Sequence, residues 1–390
     1  MAKPIGLEVS LAVAEAVKLC DTDVVAAYPI TPQTHIVEHL SELVANGELD
    51  AAYIPVESEQ SAMSSCIGSS AAGARTFTAT SSQGLALMNE MLFIAPPLRL
   101  PIVMAIANRA LSAPINIWND HSDIMSIRDV GWLALFAETG QEALDMTILG
   151  FKIAEDHRVS LPITINLDGF TLSHFIEPVL LPTKEEVAKF LPPFKPLVKL
   201  DIANPISMGL LGGPESYTEA RKVTDDILVA SKPVVIEAFN DFAKVFGREY
   251  KVIESYRTEG ADTILVMMGS IAETAMTAID ELWDAGKKVG VVRIRLWRPF
   301  PVEEFKEAIK GAKNLAVIDR AISMGVPDAP VALEVKSLLY NEKVRPFISN
   351  YVVGLGGRDV TRDDFKYISG RAEEFSTSPQ TQYELVGVLE

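Results

Sequence analysis

Three side chains carry the strongest chemical signal in this chain: Glu59, Thr31 and Arg109. Glu59 opens a segment crowded with small residues, Ser58-Glu59-Gln60-Ser61-Ala62, running on to Cys66 and Ala72. A carboxylate at the start of such a helix is partly buried, and burial raises its pKa. It can then exchange a proton with a ring nitrogen near neutral pH. The plainer alternative is an acid favoured at a helix start by the helix dipole. Thr31 precedes Pro32, so it reads either as the N-cap of a helix with proline at its first position or as a hydroxyl offered to a ligand. The two readings are compatible, because helix starts bind carboxylates. Arg109 ends an apolar run, where a guanidinium either clamps a carboxylate bidentately or forms a surface ion pair.

Other polar groups give weaker signals. Ser81-Ser82-Gln83-Gly84 caps a helix over 85–95 and offers a polar contact to a ligand. Asp120-His121-Ser122-Asp123 has the residue types of a metal site. Its spacing matches no defined motif, and Asp and Ser capping a turn explain it, so no metal is assigned to this chain. No P-loop is present, and no GxGxxG follows a strand, so nucleotide binding has no support.

The elements that position these groups alternate. Residues 7–19 form a helix, 24–28 (VVAAY) a buried strand stopped by Pro29, and 34–46 a helix with Asn46-Gly47 as its stop. Strand 51–56 leads to helix 58–72, strand 76–80 to helix 85–95, and strand 102–107 ends at Asn108-Arg109. A long loop over 110–128 follows, then helix 141–156 and strand 162–167 before Asp168-Gly169-Phe170. This alternation predicts a parallel sheet covered by helices on both faces, whose strand carboxyl ends bind ligands. Thr31 and Glu59 lie just past two such ends and are expected to share one crevice. Residues 181–215, rich in Pro and Gly, read as an extended connector. A long helix over 216–246 and a second, smaller α/β unit come next. That unit reads as strand 263–268, helix 271–285, strand 288–296, helix 302–311, strand 314–319 and helix 328–340. A turn at Gly354–Asp359, a final helix and a polar tail close the chain. The expected division is 1–240 and 241–390.

Bulk properties bound the function. At 390 residues, two domains are the natural expectation. A formal net charge of -17 argues against nucleic acid, whose binding draws on Lys and Arg, and gives no hint of an anionic membrane surface. Two cysteines, Cys20 and Cys66, exclude both a disulfide framework and a four-cysteine iron–sulfur site within this chain. Met1-Ala2-Lys3-Pro4 runs directly into an amphipathic segment rather than a signal-peptide core, so a cytoplasmic location is expected.

Taken together, Tyr28-Pro-Ile-Thr-Pro32, Ser58-Glu59, Thr76-Phe-Thr-Ala-Thr-Ser-Ser-Gln-Gly-Leu85, Asn108-Arg109, Asp120-His-Ser-Asp123 and Asp168-Gly-Phe170 with Ser173-His174 stand in a familiar order. The chain resembles the α subunit of the thiamine-diphosphate-dependent 2-oxoacid:ferredoxin oxidoreductases, and most closely the pyruvate branch. Residues 262–320, with Arg298-Pro299-Phe300-Pro301, resemble the transketolase C-terminal-like domain that follows in that family. The resemblance implies a pyrimidine-binding domain over 1–240, connector included, and a smaller α/β domain over 241–390.

It also implies roles. Glu59 matches the carboxylate that bonds the pyrimidine N1′ and favours the imino tautomer, whose 4′-nitrogen takes the thiazolium C2 proton. Thr31 and Arg109 match positions that hold the 2-oxoacid. Pro29, Ile30, Ser82 and Gln83 match cofactor contacts, and Asn108, Asp120 and His121 lie near the site without an assigned role. Thiamine diphosphate would be shared with a β subunit that carries the diphosphate and Mg2+. Iron–sulfur clusters would also sit on partner subunits. A γ subunit, a ferredoxin-like δ subunit and external ferredoxin complete the expected partners in a dimer of heteromers, with coenzyme A as acyl acceptor. The enzyme would work only as this complex. Gln60-Ser61 and Trp118-Asn119 depart from the family pattern, which leaves a branched-chain or aryl 2-oxoacid as a competitor to pyruvate. A non-catalytic scaffold subunit is the alternative from another class.

Overall fold

The computed structural model describes residues 3–377 and 382–389; the start at Met1-Ala2 and residues 378–381 of the expected polar tail lie outside the described residues. Two α/β sheets dominate. The larger has seven strands, in the order Leu296–Arg298, Leu133–Phe136, Ile163–Asp168, Val103–Asn108, Thr76–Thr80, Val24–Ala27 and Ala52–Pro55. The last six are parallel to one another, as expected. The central runs VVAA, TFTAT, VMAIAN and ITINLD are buried along their whole length, because helices cover both faces. Alternate strand residues feed opposite cores. Val25, Phe77, Val103 and Ile163 pack under helices Val9–Leu19, Thr34–Ala45 and Gly140–Ala154. Ala26, Met104 and Ile106 pack under Glu59–Ala71 and Ser82–Leu92.

The smaller sheet has six strands, in the order Tyr383–Leu385, Phe347–Val352, Asn314–Asp319, Thr263–Met267, Val289–Ile294 and Ile253–Tyr256. One of its faces merges with the second core of the large sheet, where Ile264, Val292 and Val317 join Met104 and Ile106 in one apolar cluster. The other face is closed by helices Ile271–Asp284 and Arg362–Thr377.

The structure corrects several expectations. The run 288–296 is two strands: Val289–Ile294 stays in the small sheet, while Leu296–Arg298 crosses to the large one and pairs antiparallel with Leu133–Phe136. Between them, Arg295 is 1% exposed and reaches Glu142 at 2.7 Å and Glu254. The strand Leu133–Phe136 was not anticipated. The expected helix 216–246 is two, Pro214–Ala230 and Lys232–Phe246, broken at Ser231 with Pro233 in the first turn of the second. That second helix runs through residue 240 and packs Val235, Phe239 and Phe242 into the first core. The connector carries the helix Lys184–Phe190, opened by a Thr183–Glu186 capping box. Loop 110–128 contains the short helix Ser122–Ser126. At the front of the chain, residues 5–8 form a strand, and the first helix starts at Val9.

Candidate functional site

From strand Val24–Ala27 the chain moves to Ala52–Pro55 on one side, then to Thr76–Thr80 on the other. Such a reversal is where open α/β sheets bind ligands, at the carboxyl ends of the neighbouring strands. The turn 28–33 lies on one side of it and Ser81–Gly84 on the other. Gln33 joins the two: its Oε1 accepts from Ile30 N at 3.1 Å and its Nε2 donates to Ala79 O at 2.7 Å.

Thr31 is therefore not a helix cap. The helix begins at Thr34 with Gln33 as its N-cap, because Gln33 spends its amide on the strand and leaves Thr31 in the exposed turn ahead of it. Tyr28 and Pro29 are exposed as well, and Ile30 is half-buried. Arg109 reaches this turn, donating Nη1 to Thr31 O at 2.9 Å and Nε to Asn116 O at 2.8 Å. It is 6% exposed, and burial depresses its pKa while nearby Asp123 opposes that shift.

Glu59 is the first residue of its helix, behind Ser58, whose Oγ accepts from Ser61 N at 3.3 Å. It too is 6% exposed. Its carboxylate lies across Gly84: a carbon added there would meet Glu59 Oε1 and Thr80 Oγ1, each at 2.6 Å. Thr80 Oγ1 is buried and has no hydrogen-bond partner among the described residues. Along this Ser-rich helix, Ser64, Ser65 and Ser69 return their hydroxyls to carbonyls of the preceding turn.

Ser82, Asn108 and Arg109 converge on Asp123, a residue read from the sequence only as part of a capped turn. Its carboxylate accepts from Ser82 N (3.1 Å), Arg109 N (2.9 Å) and Asn108 Nδ2 (3.0 Å). Burial pushes its pKa up to about 6 in spite of those donors. The one sequence signal was an acid followed directly by Ile124-Met125, an apolar context that buries it. Ser82 has φ 46° and places its hydroxyl 2.6 Å from both Ala110 O and Gln83 Oε1. Such a backbone angle in a residue with a side chain is costly and concentrates at ligand sites.

Asp120 and His121 face elsewhere. Asp120 caps the short helix through Ser122 N and Oγ, and its other oxygen accepts from Gly356 N at 3.3 Å. With Asn116 Nδ2 on Gly356 O, this docks loop 110–120 on the glycine turn of the second unit. His121 Nε2 donates to Asp168 Oδ1 at 2.9 Å. Asp168 also accepts from Ser270 N, Ser270 Oγ and Arg320 Nη1. Burial disfavours its charge, but the Arg320 guanidinium and the bonds from His121 and Ser270 hold the carboxyl well below the usual range. It fills the strand-end crevice of the small sheet, between Thr263–Met267 and Asn314–Asp319.

The residues present fit an aminopyrimidine at Glu59: a buried carboxylate that accepts no hydrogen bond among the described residues, beside a glycine that leaves it room. Cys20 and Cys66 are free and buried, and burial pushes the Cys66 thiol up to about 12.

Comparison with known proteins gives consistent results. Residues 15–239 match the family described as "Pyruvate flavodoxin/ferredoxin oxidoreductase, thiamine diP-bdg", and residues 261–365 match "Pyruvate:ferredoxin oxidoreductase core domain II". The pyruvate synthase subunit PorA of Methanocaldococcus jannaschii is 53% identical over 366 residues, covering 93% of each chain. The ketoisovalerate oxidoreductase subunit VorA of Pyrococcus abyssi is 46% identical over 371 residues, covering 94% of this chain and 93% of that one. The 2-oxoglutarate:ferredoxin oxidoreductase of Magnetococcus marinus superposes with a TM-score of 0.70 at 21% identity, over 96% of this chain and 66% of that one.

Proposed function

We propose a function from one premise: the chain belongs to the thiamine-diphosphate-binding pyruvate:ferredoxin oxidoreductase family. It is the α subunit of a multi-subunit enzyme that oxidatively decarboxylates a 2-oxoacid to acyl-CoA and CO2 and reduces ferredoxin, reversibly. Pyruvate is the substrate best supported, by the identity to the pyruvate synthase subunit. A branched-chain 2-oxoacid is the second reading, favoured by the similarity to the ketoisovalerate subunit.

The single observation that carries the site assignment is the buried carboxylate of Glu59, which accepts no hydrogen bond among the described residues and lies against Gly84. When bound, thiamine diphosphate supplies the nucleophilic carbon and the electron sink for decarboxylation. Glu59 holds the proton shared with the pyrimidine ring nitrogen, and burial keeps water from competing for it. Pro29, Ile30, Ser82 and Gln83 line the same strand ends and orient the ring. Arg109, fixed by two backbone carbonyls, presents its remaining N–H groups to the 2-oxoacid carboxylate, and Thr31 binds beside it. Asn108 acts through Asp123, which sets the position of both Arg109 and Ser82.

The diphosphate, Mg2+ and iron–sulfur clusters belong to partner subunits: a β subunit, with γ and ferredoxin-like δ subunits, in a dimer of heteromers. Exposed Tyr28, Ile115, Ile117 and Trp118 beside the crevice support a partner there. We place the complex in the cytoplasm; no helix among the described residues is long and apolar enough to cross a membrane. The pyrimidine-binding domain is drawn from the N-terminus through helix Lys232–Phe246, and the transketolase-C-like domain follows it.

The test is Glu59→Ala in the assembled complex, with 2-oxoacid-dependent reduction of ferredoxin measured beside subunit composition. Turnover is expected to vanish while assembly survives; activity within a few-fold of wild type overturns the assignment.

A further inference from the structure

Three side chains from separate segments meet behind the Thr31 turn. Glu8 ends the strand Ile5–Glu8, His35 lies in the first turn of helix Thr34–Ala45, and His174 sits in the turn after Asp168. One ligand atom from each lies within 4.8 Å of the others. His35 Nδ1 is 2.6 Å from Glu8 Oε1, and the two imidazoles lie 4.5 Å apart between centroids, tilted by 32°. All three residues are half-buried.

His174 is held in place. Its Nδ1 is 2.8 Å from Ser173 Oγ, which also accepts from Phe170 N at 2.9 Å. A hydrogen bond at one ring nitrogen orients the imidazole and leaves the other nitrogen for a metal, which is how proteins position metal-bound histidines. Packing supports the ring too, since Phe170 lies 4.4 Å from it and Trp118 lies 4.6 Å from Phe170. None of these three residues has a part in the proposed reaction.

We propose that Glu8, His35 and His174 bind a divalent transition ion of the Zn2+ class, with water completing the coordination. Two imidazoles and one carboxylate suit such ions, whereas Ca2+ and Mg2+ take oxygen ligands. Bonds of about 2.0–2.1 Å around a tetrahedral ion set ligand atoms more than 3 Å apart. The 2.6 Å contact between His35 and Glu8 therefore opens slightly on binding. The bound ion ties the N-terminal strand to the helix that follows Thr31-Pro32-Gln33 and to the 169–174 turn. Gly169 in that turn lies against Pro32, where an added carbon would be 2.6 Å from Pro32 Cγ. The ion is a clamp on the segment that shapes one side of the crevice, and its existence does not depend on the reaction assigned to that crevice.

The experiment uses the purified full chain, stripped with a chelator, dialysed against Zn2+ and analysed for bound metal by mass spectrometry. The wild type is expected to retain one equivalent and to melt at a higher temperature with Zn2+ than without it. His174→Ala and His35→Ala, with unchanged circular dichroism, are expected to lose both effects. Equal retention by the variants would assign the metal to scattered surface carboxylates of this acidic chain and overturn the site. Failure of the wild type to retain Zn2+ would overturn it too. Should either variant not fold, Co2+ added to the wild type decides: visible absorption bands displaced by Zn2+ support the site, and a featureless spectrum refutes it.

Discussion

Glu59 occupies the space that a side chain at Gly84 would need: an added carbon would lie 2.6 Å from its Oε1. The glycine is therefore part of the acid's position. Gly84→Ala is expected to push the carboxylate out of line while leaving the fold intact. A displacement of about 1 Å from a productive geometry costs on the order of a hundredfold in rate. Steady-state turnover of the assembled complex, with the melting temperature as control, checks this; unchanged turnover counts against Glu59 as the pyrimidine partner.

Arg109→Lys tests the clamp. A lysine keeps the charge but cannot reach Thr31 O, Asn116 O and a substrate carboxylate together. Losing one charge-assisted hydrogen bond, about 1.5–3 kcal/mol, corresponds to roughly a ten- to hundredfold rise in KM for the 2-oxoacid. KM for coenzyme A should stay level. A KM for the 2-oxoacid within twofold of wild type would remove Arg109 from the substrate site.

Asp168→Asn tests the junction between the sheets. The substitution leaves Arg320 buried without its counter-charge, and breaking one side of a buried ion pair costs about 3–5 kcal/mol. Thermal unfolding is expected at lower temperature and in two steps, as the small sheet separates from the large one. A single transition at the wild-type temperature would refute this role.

Glu138 gives a pH signature. Burial raises its pKa to about 7, Arg293 opposes the shift, and Glu142 and Glu273 add to it. A raised folded-state pKa means that the native protein holds a proton the unfolded chain has already released. Stability from this group is therefore lost as pH rises from the unfolded value of 4.5 towards 7, and is level above that. Glu138→Gln cannot titrate. Its urea midpoint relative to wild type should climb between about pH 4.5 and about pH 7, and a pH-independent difference would contradict the assignment.

Much of this architecture was legible because buried parallel strands announce themselves as short apolar runs between Pro, Gly and Asn. VVAAY before Pro29 and IVMAIA before Asn108-Arg109 are strands within a residue or two of their expected limits. Leu133–Phe136 was not legible, since four apolar residues without alternation suit a helix or a strand equally. The split at Arg295 was hidden because the run Val289–Arg298 looks continuous, and the change of sheet depends on ion pairs to distant Glu142 and Glu254. That Thr31, Glu59 and Arg109 stand at strand ends was legible, but the acid that joins Arg109 to Ser82 was not. Asp123 matters through three donors drawn from two strand ends, a convergence that only the folded chain creates.

The antiparallel strand Leu296–Arg298 also bears on how the protein can be divided. It is contributed by the second unit yet completes the border of the first sheet, beside Leu133–Phe136. A fragment ending at residue 250 would carry an unpaired row of backbone groups along that border, an invitation to self-association. A cut after Arg298 would keep that selvedge but part Thr263–Met267 from Asn314–Asp319 in the middle of the small sheet, so neither position yields two pieces with closed borders.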